Sequence, residues 1–254
     1  MLQGPYGGLD RDRALFRLPF TVFIVGTVLL PLAALVSSVF ISLVFHFEDA
    51  TSTHCHVTNY LPSISAAIGA IPERYIWRAC VGLHSAPRYM VAVAYFNFYR
   101  GRFARKLPEL LLSGLALVCN LAENTGLVLL TYVSSGETYA LHKHGFVVFI
   151  GSSLLHMLVT CRLWHVIRRS SVNPEERRSC RWKLRLFVFN VSCCLAAAYF
   201  FRRHNGFCEP GVYTLFAFFE YLVVLSNMAF HLTAFWDFGD KDVTMATATE
   251  DKRY

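Results

Sequence analysis

Glu220, Asn227 and His231 lie seven and then four residues apart in the last long apolar run, 211–236, and therefore share one helix face. Three other apolar runs carry comparable groups. His84 and Arg88 stand four apart in GLHSAPRYM, with Pro87 between them interrupting the helix hydrogen-bond ladder. Asn120, Glu123 and Asn124 form a stripe at i, i+3 and i+4, and His156 follows Ser152 and Ser153 by one turn. A histidine oriented by a carboxylate can take up and return a proton, and a guanidinium beside it can hold an anion or a developing oxyanion. The set has the parts for acid–base chemistry on an anionic substrate. Each part also has a structural reading: an Arg–Glu pair fixes helix register, Asn120 and Asn227 join helices, and His156 packs with one hydrogen bond. The number of ionisable groups, spread over four runs, exceeds what stability requires.

Such residues need apolar elements to bring them together. The chain has 254 residues, 55% hydrophobic and 16% charged, against roughly 25% charged in a soluble domain. A crossing helix needs ~20 apolar residues, and six runs are expected as transmembrane helices: 20–45, 76–98, 110–133, 143–167, a shorter one at 186–201, and 211–236. The first is too long for the ~7–15 residue core of a cleaved signal peptide and reads as a retained signal-anchor. The fold class is all-α, a six-helix polytopic membrane bundle. The organisation is a terminal segment at 1–19, a membrane domain at 20–236 and a tail at 237–254.

Charge sets the orientation. Seventeen of the 24 Lys and Arg fall in 1–19, 99–109, 168–185 and 237–254. The positive-inside rule makes these segments cytoplasmic, both termini included, and places the polar loop 46–75 on the lumenal side. The net charge of +7 is thereby explained by topology and anionic lipid, not nucleic acid. Cys55 and Cys208 are the two cysteines clearly on the oxidising side, so a Cys55–Cys208 bridge is expected. Cys180 falls in a cytoplasmic loop and should stay reduced. The sequon at Asn190 lies within a span and is discounted. Arg88 can pair with either Glu123 or Glu220, because an unpaired charge at this depth is costly.

Familiar catalytic signatures are missing: no G-x-S-x-G, no H-E-x-x-H, no Walker or dinucleotide glycine pattern. His231 and Asp237 are separated by five residues, one more than in the His-x4-Asp motif of glycerolipid acyltransferases. No spacing singles out metal ligands, and no metal or cofactor is expected. A proton-coupled carrier would use the same carboxylates, but it should show broken helices at matching places in two repeats. Only Pro87 fits that description.

The segments HCHVTNYLPSISAAIG, RYIWRACVGLHSAPRYMVAVAYFN, LAENTGLVLLTYVSS, FIGSSLLHMLVTC and FRRHNGFCEPGVYTLFAFFEYLVVLSNMAFHLTAFWDFG closely resemble the post-GPI attachment to proteins factor 2 family. These are six-helix proteins of the secretory pathway related to DRAM-type membrane proteins. The likeness covers nearly the whole chain. It implies a role in GPI-anchor lipid remodelling in the Golgi, with some protein in the endoplasmic reticulum. There a lyso-GPI is reacylated at sn-2 with a saturated, usually stearoyl, chain. The expected substrates are membrane lipid and GPI-anchored proteins, with acyl-CoA or a phospholipid as donor, and other membrane proteins of the pathway as partners. The resemblance carries no catalytic residue set. On the chemistry of the residues, His84 is the expected base, oriented by Glu123 or Glu220. Arg88 would bind the inositol phosphate or the oxyanion, with His156 and Asn227 as further substrate-binding candidates. The alternative is a non-catalytic partner that presents lyso-GPI to a separate acyltransferase.

Overall fold

A computed structural model of the chain describes residues 14–134, 136–170 and 173–246. Arg11 and Arg13, positions 171 and 172 of the basic segment, and the tail from 247 onward lie outside the described residues. The order is β1 (Ala14–Pro19), α1 (Phe20–Phe45), α2 (Phe47–Thr51), α3 (Ile64–Ala67), α4 (Glu73–Arg102), α5 (Leu107–Tyr132), α6 (Tyr139–Ser170), α7 (Pro174–Phe207), α8 (Val212–Leu232), α9 (Ala234–Asp237) and β2 (Asp242–Ala246).

The outer surface of the helices is largely apolar, and polar side chains are buried among the apolar ones inside. On α1, Val22, Leu29, Val36, Phe40 and Val44 face outward, whereas Thr27, Ser38 and Ser42 are buried. That inversion suits a lipid solvent, where backbone and side-chain polar groups must be satisfied internally. Among the described residues, five helices (α1, α5, α6, α7, and α8 with α9) are long and apolar enough to cross a membrane, and the chain is a multi-pass membrane protein. α4 has the length, at 30 residues, but Glu73, Arg74, Arg78, His84 and Arg88 leave it without a stretch as apolar as those of the other five.

One expectation needs correction. The basic segment 168–185 is not chiefly a loop. α6 continues to Ser170, and α7 starts at Pro174 and runs 34 residues to Phe207, well past the apolar stretch at 186–201. The local reason is a strong helix start: Asn173 Oδ1 accepts from the Glu175 amide, proline occupies the first turn, and Glu175 and Glu176 complement the helix dipole. Cys180 is accordingly buried on a helix. The segments flanking the bundle pair as an antiparallel ribbon of β1 and β2, with Leu18 opposite Val243 and Arg17 bonded to Asp242. This strand end lies opposite the disulfide end, where Cys55 and Cys208 are joined.

Packing is tightest between α5 and α6. A Cβ on Gly126 would lie 2.7 Å from the Phe149 amide nitrogen, and one on Gly145 would lie 3.0 Å from that of Leu130. The two backbones therefore meet directly, which brings Glu123, one turn before Gly126, up to Ser153 and His156. Gly126→Ala is expected to cost about 1–3 kcal/mol through overpacking. Gly114→Ala on the same helix, with no atom within 4 Å of its added carbon, should be neutral or slightly stabilising. Melting midpoints of the two variants in detergent check this, and equal midpoints would rule out the close contact.

Read along α4, the layers alternate. Trp77 and Val81 pack with Ala34, Leu35, Ile64 and Ile68 toward the disulfide end. Val91 packs with Phe20, Ile24, Ala234 and Phe238, and Tyr99 with Leu163 and Trp164, toward the strand end. His84 and Arg88 fall between these apolar layers. At 1.5 Å per residue, Arg88 lies roughly 22 Å along α4 from Glu73, near the middle of the bundle.

Candidate functional site

Glu123 is the centre of the polar layer and is fully buried. Its Oε1 accepts from Arg88 Nη2 at 3.1 Å, Asn227 Nδ2 at 2.9 Å and His231 Nε2 at 2.8 Å. The Arg88 guanidinium also lies 2.7 Å from each ring nitrogen of His231. Asn227 donates on to Ser153 Oγ at 2.7 Å. His156 Nδ1 stands 3.3 Å from Glu123 Oε2, and its ring stacks on that of His231 at 5.4 Å. Four helices (α4, α5, α6 and α8) thus contribute to one charge-paired cluster. The spacing of Glu220, Asn227 and His231 along one helix had placed all three together, but only the last two reach Glu123.

Glu220 has a different partner. Its Oε2 accepts from the Ile64 amide at 2.9 Å, holding the start of α3. The same short helix is tied by Ser65 Oγ to His142 Nε2 at 3.0 Å, and the segment before it by Tyr221, whose hydroxyl donates to the Pro62 carbonyl at 3.1 Å. Glu220 and α3 cap the disulfide end of the bundle.

His84 is oriented by neither carboxylate. Its Nδ1 lies 2.6 Å from the Thr27 carbonyl of α1. That carbonyl is available because Pro31, four residues on, has no N–H to offer it. The backbone contact places the proton on Nδ1 and leaves Nε2 as the basic nitrogen. Pro31, Thr27 and His84 form a unit that hydropathy does not reveal. The one available signal was a proline inside an apolar helix.

These groups surround a cavity of ≈ 330 Å³. His84, Arg88, Glu123, Asn227 and His231 line one end, Glu220 and Ile64 the other, and most of the wall between them is apolar. The arrangement can hold an anion at Arg88, move a proton through His84, and shelter a hydrocarbon chain.

Glu123, His156 and His231 present ligand atoms within 4.8 Å of one another, a spacing that can hold a metal ion. A divalent cation there would stand beside Arg88 with one carboxylate to balance it, an uncompensated charge deep in the protein. The guanidinium already serves as counter-charge. His54 also lies close to Cys55 and Cys208, but both sulfurs are consumed in the disulfide, 2.05 Å apart.

A second buried ion pair went unseen in the sequence. Lys183 Nζ donates to Asp237 Oδ2 at 2.5 Å, and Tyr95 donates to the same oxygen at 2.5 Å. Lys183 reads as one of a run of solvated basic residues, yet the extension of α7 carries it inside, over the Trp164 ring. Asn190, the sequon residue, donates to the Val223 carbonyl and to Ser226, each at 2.8 Å, and joins α7 to α8.

The family model described as Frag1/DRAM/Sfk1/Cwh43P N-terminal domain matches residues 19–241. The chain is 59% identical over 212 residues to "Acyltransferase PGAP2" of Danio rerio, covering 84% of this chain and 92% of that protein. It is 51% identical to the protein of the same name from Xenopus tropicalis over 98% and 99% of the two chains. A third relative, "Post-GPI attachment to proteins factor 2" of Drosophila melanogaster, is 44% identical over 90% and 89%. No solved structure matches.

Proposed function

The chain belongs to the Frag1/DRAM/Sfk1/Cwh43 family, and on that premise we propose that it acts in GPI-anchor remodelling, reacylating lyso-GPI at sn-2 with a saturated, stearoyl chain. The proposal places it in the Golgi membrane, with some in the endoplasmic reticulum. It crosses the membrane six times between residues 20 and 236, α4 included, with both termini cytoplasmic and the disulfide end in the lumen. Its substrates would be membrane lipid and GPI-anchored proteins. One observation carries this reading: an apolar cavity ends on a histidine with a free nitrogen, beside a buried guanidinium.

The chemistry follows from that geometry. His84 Nε2 takes the proton from the sn-2 hydroxyl as its oxygen attacks the donor's acyl carbonyl. Arg88 holds the lipid phosphate or the developing oxyanion, and Glu123 with Asn227 and His231 fixes the guanidinium in place. The carbonyl's bond to its leaving group then breaks, and the proton passes from His84 to that group. The polar layer at mid-bundle suits a reaction on a lipid drawn inward, with bulk water excluded by the apolar layers on either side.

One observation favours the alternative, a non-catalytic partner that presents lyso-GPI. The Arg88–Glu123 cluster is closed on itself, as a register-fixing network would be. The purified protein reconstituted with lyso-GPI and labelled stearoyl donors separates the two. Labelled GPI formed by this protein alone supports the acyltransferase. Binding of lyso-GPI without product would reduce the role to presentation.

A further inference from the structure

The cavity is closed at both ends of the bundle. At the disulfide end α3 covers it, held by Glu220 and His142. At the strand end the packed layer of Phe20, Val91, Ala234 and Phe238 lies beneath it, followed by the Lys183–Asp237–Tyr95 cluster. Its side is different. Phe146 of α6 and Phe201 of α7 both line the cavity, yet they remain 39% and 40% exposed. Ala198, between them on the α7 wall, also lines the cavity and is exposed. Three exposed lining residues on adjoining helices place the opening in this part of the wall.

The opening is therefore a slot between α6 and α7 in the half toward the disulfide end, roughly 10–20 Å from the ends of both helices at 1.5 Å per residue. The outer surface beside it carries exposed apolar groups, Val147 on α6 and Leu195 and Tyr199 on α7, with the exposed Lys143, His144 and Arg202 nearer the disulfide end. Apolar surface of this kind suits a hydrocarbon solvent.

We propose that this slot admits the acyl chain of a membrane-resident phospholipid, which is the acyl donor. The polar end of the cavity supplies the complement, since Arg88 can meet the phosphate of a lipid whose chains lie in the slot. A water-soluble acyl thioester has a polyanionic head that cannot travel through hydrocarbon, and the strand end offers it no channel among the described residues. The inference rests on the acyltransfer reading for its chemistry. The ester bond of the donor breaks, the new sn-2 ester forms, and the lysophospholipid leaves with the proton that His84 took from the acceptor hydroxyl. No other reactant is needed.

Two measurements test it. In the first, the full chain in phosphatidylcholine vesicles with lyso-GPI receives labelled distearoyl-phosphatidylcholine in the bilayer or labelled stearoyl-coenzyme A in solution. Transfer from the phospholipid is expected. Ala198→Trp should lower it by about tenfold or more, as a blocked approach does, while Val188→Trp, exposed on the same helix but outside both the cavity and the slot, should leave it unchanged. Transfer from the thioester alone, or equal rates in the two variants, would overturn the proposal. In the second, a phospholipid with a photoactivatable stearoyl chain is crosslinked to the chain and the labelled peptides are identified. Labelling at 146–150 and 194–201 is expected, and labelling elsewhere would overturn the slot even if no turnover is seen. Turnover with neither donor defeats the acyltransferase reading separately.

Discussion

Arg88→Met alone is expected to destabilise the protein by about 3–5 kcal/mol, because it leaves the Glu123 carboxylate buried without its cation. Glu123 is fully buried, and its remaining donors, Asn227 and His231, are neutral or weakly basic groups that hydrogen-bond without cancelling the charge. The double variant Arg88→Met/Glu123→Gln removes both charges and keeps an oxygen in place for Asn227 and His231. It should recover most of the loss. Chemical denaturation in detergent, or steady-state abundance in cells, reads the cycle. Penalties that simply add would show that charge pairing is not what couples the residues, because directly interacting groups give non-additive effects. The same double variant should lack transfer activity, since the anion-holding group is gone.

His84→Ala is expected to lower the reacylation rate by about 10²–10⁴-fold, the range for a lost general base, with much less effect on stability. The residue makes one hydrogen bond, to a carbonyl already positioned within α1, and it borders a cavity instead of filling one. Melting midpoint and lyso-GPI binding should both remain close to those of the unaltered chain. Pro31→Ala is a subtler companion. It restores an N–H four residues after Thr27, and that group competes with His84 for the carbonyl. A fall in turnover with unchanged lyso-GPI binding would mark Pro31 as a positioning residue. Intact turnover in His84→Ala would remove it from the base role and turn attention to His231.

The contrast between these residues shows what could be read in advance. The helices and their polar stripes are local properties, fixed by hydropathy and a 3.6-residue period, so Arg88, Glu123, Asn227 and His231 were visible as inward-facing groups. Whether Arg88 meets Glu123 or Glu220 depends on how far neighbouring helices slide along each other. Bonds between α4 and α5 hold that register, from Asn124 to the Ser85 carbonyl and from Arg78 to the Tyr132 carbonyl, and no pattern on a single helix encodes them. Glu220 was drawn instead to a backbone amide on α3, a helix of four residues too short to leave a periodic signature. Lys183 was hidden for the converse reason. A cation in a basic run looks solvated until the helix carrying it proves longer than its apolar segment. The terminal strands escaped notice because five or six residues of mixed character show no alternation strong enough to separate strand from loop.

That terminal ribbon has a consequence for the chain's connectivity. Ala14 stands opposite Ala246, so the described path enters and leaves the bundle at neighbouring residues and is close to a ring. A path whose entry and exit lie together suits circular permutation. A short linker from Ala246 to Ala14 could replace the natural ends, and a new break in the turn at 103–106, on the same side of the bundle, would leave every helix pointing as before. The order in which helices emerge during synthesis could then be varied while the finished structure stays fixed.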